Sequence, residues 1–238
     1  MAMLTSEEIR QNLIFVKAQI AERCQQVGRT EDSVELVAVT KNFPVEALEC
    51  LVSAGQLVFG ENRVQEAVAK IEKLRLTSDA TSKLSFHLIG HLQTNKVRKA
   101  VESFDTIQSV DSVALARKID IAAGEVGKLQ TVLLEVNVSG EESKFGFSIE
   151  TLRVVFPQLN DFRHLNIVGL MTVAPYSTEP ESTRPVFRQL RLFRDELERS
   201  FGVSLPELSM GMSGDFSVAI EECATIVRVG TALLGNRS

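Results

Sequence analysis

The residues best placed to do chemistry are a lysine, an arginine and two glycine-containing segments. Lys41 directly follows the apolar run Leu36-Val37-Ala38-Val39-Thr40. Its amine is therefore expected at a strand end, where partial desolvation frees a nucleophile that can form an imine with an aldehyde. An ordinary loop lysine in a salt bridge has the same sequence appearance. The segments Ser209-Met210-Gly211-Met212-Ser213-Gly214-Asp215 and Val227-Arg228-Val229-Gly230-Thr231 combine glycines, which let backbone approach an anion, with the hydroxyls of Ser213 and Thr231. Together they read as a phosphate cradle, although taken singly each is equally well a turn needing glycine at positive φ. Arg228 sits inside an apolar run, so its guanidinium needs an acceptor. A buried carboxylate or the ring nitrogen of a cofactor would serve.

Other candidates carry less. His87 and His91 are four apart but flank a strand end and have no third ligand spaced with them, so no metal site is expected. Lys96, Arg98 and Lys99 read as the solvated face of a helix. Met210 and Met212 could line an adaptable pocket or fill a core.

The elements that must position these groups alternate between short β-branched runs and amphipathic stretches, the pattern of βα units on a parallel sheet. Strands are expected at Val34 to Thr40, Leu57 to Gly60, Leu84 to Ile89, Thr106 to Val110, Thr131 to Val138, Leu165 to Met171, Glu207 to Met210 and Ile226 to Val229, eight in all. Helical stripes fall between them at Val64, Val68 and Ile71, at Leu115, Ile119 and Ala122, and at Val186, Leu190, Phe193 and Leu197. Thr5 with Glu8 forms a capping box that opens a helix carrying Ile9, Leu13, Val16 and Ile20. The fold class this implies is α/β, a single (β/α)8 TIM-type barrel with an additional N-terminal helix, one domain over residues 1–238. Ala174 to Pro185 is the longest irregular connection, and Thr77 to Lys83 a polar loop. In such barrels sites lie beyond the C-terminal strand ends. Those ends carry Thr40-Lys41, Glu61-Asn62-Arg63, Gly90-His91-Leu92-Gln93, Asp111, Asn137 with Ser139, Thr172, Met210 to Gly214, and Gly230-Thr231.

Composition narrows the partners. Lys and Arg total 26 against 31 Asp and Glu, and the net charge of −5 leaves no basic footprint for nucleic acid or anionic lipid. Cys24, Cys50 and Cys223 are odd in number and widely spaced, as expected of reduced thiols in a cytoplasmic protein. No apolar run approaches the roughly 20 residues of a membrane span. A small soluble ligand is the expected partner.

Six blocks, Val37 to Lys41, Phe59 to Glu66, His87 to Lys96, Gly169 to Thr172, Ser209 to Ser213 and Val227 to Gly230, closely resemble the YggS-like pyridoxal phosphate homeostasis protein family, in order between Val34 and Gly235. The resemblance implies a barrel of the alanine racemase N-terminal type that binds pyridoxal 5′-phosphate (PLP) and lacks the racemase's second domain. It places the imine lysine on Lys41, phosphate-binding positions on Ser213, Gly230 and Thr231, the pyridine-nitrogen arginine on Arg228 and a pocket asparagine on Asn62. Lys144 coincides with a second lysine that many members carry. Cys223 departs from the family's usual glycine at a helix end, which puts that cap's geometry in question.

The function so implied is PLP binding and intracellular vitamin B6 homeostasis without catalytic turnover, by an expected monomer with PLP-dependent apoenzymes as recipients. The alternative is a racemase-like enzyme acting on amino acids. Racemisation needs a second acid/base opposite the lysine, and the only tyrosine is Tyr176, in the irregular connection after the sixth strand. An arginine at the ring nitrogen also disfavours ring protonation and weakens the electron sink.

Overall fold

The computed structural model describes residues 4–77 and 83–235. Strands β1 (Glu35–Val39), β2 (Val58–Glu61), β3 (Ser85–Leu88), β4 (Thr106–Val110), β5 (Gln130–Glu135), β6 (Leu165–Met171), β7 (Glu207–Ser209) and β8 (Ile226–Val229) close into one parallel barrel in sequence order. The α-helices among the described residues are α1 (Ser6–Gln26), α2 (Val45–Ser53), α3 (Val64–Thr77), α4 (Val97–Ser103), α5 (Val113–Glu125), α6 (Ile149–Asn160), α7 (Arg184–Phe201), α8 (Phe216–Glu221) and α9 (Thr231–Leu234). This is the expected TIM-type architecture with its extra N-terminal helix. The interior of the expected polar loop from Thr77 to Lys83 lies outside the described residues.

The runs Leu36 to Val39 and Ile226 to Val229 form strands because β-branched side chains suit a pleated surface covered on both faces. Alternation then sorts them. Leu36 and Ala38 pack outward with the helices, whereas Val37 meets Leu133, Met171 and Ile226 in a separate cluster that floors the barrel. Continuing each strand on the same face carries the chain from this apolar floor to the mouth: Val37 to Val39 to Lys41, Ile226 to Arg228, Leu133 to Glu135. The strand period thus delivers the chemistry-bearing side chains to one end of the barrel.

The expected strand over Thr131 to Val138 stops at Glu135, because Val136 turns to bridge Phe147 in the loop that folds back from β5. Helix α7 buries Phe187, Leu190, Phe193 and Leu197, and Val186 of the expected stripe is partly buried against the same core. Pro157 inside α6 offers no N–H to the helix, but the helix continues around buried Leu152, Phe156 and Leu159. In α1 the capping box is formed as expected, and Ile9, Leu13, Val16 and Ile20 are buried at about 1.5–3 kcal/mol each. That face lies against α2, α8 and α9, next to the β1–β8 seam.

The three cysteines are unpaired: Cys24 is buried, Cys50 half-buried and Cys223 exposed. Cys223 adopts a φ of 70° just after α8, the left-handed region in which a glycine would be unstrained.

Candidate functional site

Lys41 occupies a turn immediately after β1 and is half-buried. The turn is fixed from below. Lys70, on α3, sends its ammonium to the Thr40 carbonyl at 2.8 Å, to Glu61 Oε1 at 2.8 Å and to Glu66 Oε1 at 2.7 Å. The Thr40 hydroxyl donates to the same Glu61 oxygen at 2.7 Å, and the Asn42 amide donates to Glu66. Asn42 sits at a φ of 62°, which an asparagine tolerates better than most residues. Burial pushes the Glu61 carboxyl up, opposed by Lys70. For Glu66 burial acts in the same upward direction, but the bonds from Lys70 and the Asn42 amide together hold it below the ordinary range.

Asn62 continues β2 beside Lys41. The β1–β2 register pairs Val39 with Gly60, and two further steps along each chain bring the lysine and the asparagine to the same level. A side chain on Gly90 would meet the Asn62 carbonyl at 2.5 Å, so only glycine lets the turn after β3 press against this position. Asn62 lines a recess of about 380 Å³ together with Arg63, Gly90, His91, Gln93 and Lys96.

The segments after β7 and β8 converge. The loop after β7 is held by Asp215, whose carboxylate accepts from the Met212 amide at 2.6 Å, and by the Gly211 carbonyl, which accepts from the Arg228 amide at 3.0 Å. Gly211 is required here: its φ is 90°, and a Cβ would lie 2.6 Å from that of Ala219. This loop delivers Ser213 to the start of α9, where its Oγ accepts from the amides of Gly230 at 3.2 Å and Ala232 at 3.3 Å. One oxygen atom held by two backbone N–H groups is the arrangement that receives an anionic oxygen. Thr231 lies between those donors and is exposed. A Cβ on Gly230 would stand 3.3 Å from that of Val39, so the cradle abuts the strand that ends in Lys41.

Arg228 projects into the barrel and is 4% exposed. Its Nη1 donates to Ser209 Oγ at 2.6 Å and its Nη2 to the Thr172 carbonyl at 2.7 Å. Both acceptors are neutral. No carboxylate forms an ion pair with it among the described residues, and Glu135 and Asp215 act on it only at longer range. Burial lowers its pKa to about 10. Across the barrel Glu135 is pushed up to about 7 by burial and by Asp111, against the pull of Arg228.

The two histidines part company. His87 is buried in the barrel and bonds Gln108 at 2.9 Å through Nδ1, and burial lowers its pKa to about 4. His91 stands on the rim, with Nδ1 2.9 Å from Asp111 Oδ2 and its ring stacked 3.8 Å from that of Phe145. Phe145 belongs to the loop after β5, as does Lys144, whose ammonium binds Glu141 at 3.0 Å and the Val173 carbonyl at 3.2 Å. Lys144 is therefore tied to the rim. Tyr176, in the connection after β6, is 93% exposed. Among the described residues no three His, Cys, Asp or Glu side chains gather to hold a metal ion.

The structure thus gathers Lys41, Asn62, Arg228, Gly230, Thr231 and Ser213 at one end of the barrel. Sequence reasoning passed over the buried layer of Gln108, Glu135 and Lys70. A polar residue on the inward face of a strand, such as Gln108 between Ile107 and Ser109, was the available signal for the first.

Residues 17–238 match the alanine racemase N-terminal domain family. The chain is 44% identical to the pyridoxal phosphate homeostasis protein of Aquifex aeolicus, covering 95% of this chain and 97% of the relative. It is 34% identical to the protein of the same name from Escherichia coli strain K12, over 97% of each. Among solved structures it is similar to PipY of Synechococcus elongatus PCC7942 with PLP bound, with a TM-score of 0.80 and 43% identity over 91% of this chain and all of that one. Alanine racemase of Clostridium difficile 630 shares the fold at a TM-score of 0.72 and 19% identity, and this chain covers 56% of its length. The chain belongs to the pyridoxal phosphate homeostasis protein family, built on the alanine racemase N-terminal barrel.

Proposed function

We propose that this protein binds PLP at the C-terminal mouth of its barrel and serves intracellular PLP homeostasis. The observation that carries the reading is Arg228, a buried guanidinium whose bonded partners are all neutral, beside a hydroxyl oxygen held by two amides. A ligand with a ring nitrogen at one end and a dianionic phosphate at the other fits this donor set. When bound, PLP supplies an aldehyde that an amine can take up with loss of water, and a conjugated pyridine ring.

The protein's own groups then have distinct tasks. Lys41 provides the amine, held at the mouth by the Thr40–Asn42 turn. Ser213, Gly230 and Thr231 bind the phosphate, and Asn62 orients the ring from the β2 side. Arg228 keeps its own protons and presents a donor to the ring nitrogen, which leaves that nitrogen unprotonated. Borohydride reduction of the yellow, loaded protein followed by peptide mapping tests the assignment. Label on the peptide containing Lys41 is the expected result, and label chiefly on another lysine overturns it.

The role is carriage without turnover. Tyr176, at 93% exposure, is left in solvent, where a phenol is a poor second acid/base for a buried imine. Chiral chromatography of single amino acids incubated with loaded protein should show no multiple turnovers. Turnover lost in Lys41→Ala would favour the racemase-like reading.

We further propose that the chain acts as one domain over residues 1–238 and as a monomer, in the cytoplasm, with PLP-dependent apoenzymes as recipients. The net charge of −5 and the unpaired thiols support this setting. Among the described residues no helix is long and apolar enough to cross a membrane.

A further inference from the structure

Behind Arg228 a chain of buried polar groups crosses the barrel from β8 to β3, and nothing in the proposed binding of PLP requires it. Arg228 Nη1 donates to Ser209 Oγ at 2.6 Å, Ser209 Oγ donates to Gln108 Oε1 at 2.6 Å, and Gln108 Nε2 meets His87 Nδ1 at 2.9 Å. Ser209 and Gln108 are 0% exposed and His87 is 5% exposed, so no link can be replaced by solvent.

The proton inventory gives the chain one direction. A serine hydroxyl has a single proton. Since Ser209 accepts from a guanidinium, which can only donate, that proton goes to the carbonyl oxygen of Gln108. The Gln108 amide must then offer its NH2 to His87, and His87 Nδ1 must accept. This fixes the neutral imidazole with its proton on Nε2. The reverse orientation, with the Gln108 NH2 towards Ser209, would leave a hydroxyl facing two donors and strand its own proton in the core, an arrangement costing a buried unsatisfied group. The low pKa of His87, about 4, agrees with a ring that stays neutral.

We propose that His87, Gln108 and Ser209 are positioning residues: a one-way hydrogen-bond relay that fixes the plane of the Arg228 guanidinium and so sets how Arg228 addresses the ring nitrogen of bound PLP. The relay rests on the PLP reading for its purpose but not for its existence. Because every link donates away from Arg228, the relay withdraws one N–H edge of the guanidinium towards β7 and holds the remainder in a fixed orientation. A cation bonded only to neutral groups would otherwise swing towards Glu135 or Asp215, the carboxylates that already act on it at range.

Two measurements separate the relay from the PLP reading. In unloaded protein with 15N-labelled histidine, long-range 1H–15N spectra should show His87 as the Nε2–H tautomer at neutral pH. An Nδ1–H tautomer or an imidazolium overturns the relay whether or not PLP binds. In loaded protein, Ser209→Ala should shift the absorption band of the bound chromophore and weaken PLP binding by roughly ten- to a hundredfold, the loss of one hydrogen bond to a charged group. Ser209→Thr, which keeps the hydroxyl, should restore both. Gln108→Leu should shift the band in the same direction, and Ser213→Ala should weaken binding with the band unmoved. A band unchanged in Ser209→Ala, or changed equally in Ser209→Thr, overturns the relay while leaving PLP binding intact. Failure of the parent protein to bind PLP would sink the functional reading alone, because the tautomer measurement would still decide the relay.

Discussion

Replacing Lys70 by methionine removes three hydrogen bonds at one stroke and strands a carboxylate. Glu61 is 0% exposed; its Oε1 is shared between Lys70 and the Thr40 hydroxyl, and its Oε2 has no partner. Without the ammonium, a buried charge is left with one hydroxyl donor. Breaking a buried pair in this way costs about 3–5 kcal/mol, a large share of the roughly 5–15 kcal/mol that holds a domain folded. At this chain length each kcal/mol moves Tm by about 2–4 °C, so a fall on the order of 10 °C is expected.

The loss should depend on pH. The Glu61 carboxyl already lies above its ordinary value of 4.5 through burial, and removing Lys70 raises it further. Stability linked to a carboxyl raised in the folded state is present at low pH, where folded and unfolded chains are both protonated, and is lost as pH rises towards the folded value. Lys70→Met should therefore cost less at pH 5 than at pH 8. Urea unfolding followed by circular dichroism at both pH values measures this. The double variant with Glu61→Gln should recover part of the loss at pH 8, because no charge is then stranded. A cost below about 1 kcal/mol, or no recovery in the double variant, would refute the view that Lys70 is a buried structural cation.

Cys223→Gly should stabilise the protein by about 1 kcal/mol, because a left-handed φ of 70° strains any side chain, and guanidinium unfolding should show it as a raised midpoint at unchanged slope. Glu135, with a folded-state pKa of about 7 against an ordinary 4.5, should make stability fall as pH rises from 4.5 to 7 and level off above that; Glu135→Gln should flatten this part of the profile in pH-dependent unfolding. Ser213→Ala combined with Thr231→Ala should speed release of PLP, followed by transfer to an excess of a trapping amine, and phosphate-free pyridoxal should bind the parent protein far more weakly than PLP. Equal binding of the two aldehydes would remove the cradle.

The barrel was legible because its strands are largely buried on both faces, so that runs such as Leu36 to Val39 and Ile226 to Val229 read as compact apolar segments between turn residues. Arg228 was legible for the converse reason: a cation inside such a run has to be explained. Gln108 was not picked out, because in Thr106-Ile107-Gln108-Ser109-Val110 three of five residues are polar, as on a half-solvated strand, and only closure of the barrel buries them all. Lys70 was hidden for another reason. Four residues from Glu66 on a helix, it has the sequence appearance of a surface pair, yet α3 lies so close to the end of β1 that its ammonium reaches the Thr40 carbonyl. The end of β5 falls short of the apolar pattern because Val136, though its amide still bonds Met171 of β6, already bridges Phe147, and Val138 lies in the loop beyond.

The two buried cations near the mouth are supported in opposite ways, and the difference bears on what each can do. Lys70 is bonded to two carboxylates and a carbonyl, so its charge is met within the protein and its effect on a ligand is confined to the shape of the Lys41 turn. Arg228 is bonded only to a hydroxyl and a carbonyl, so it keeps N–H donors for an acceptor that enters the barrel. Had Glu135 been close enough to pair with it, the ion pair would have offset the burial and the Asp111 charge that push the carboxyl up to about 7. The fold forgoes that gain. An acceptor arriving at Arg228 then replaces no existing salt bridge, and its departure leaves none to be rebuilt, which suits a protein whose ligand must both stay and leave.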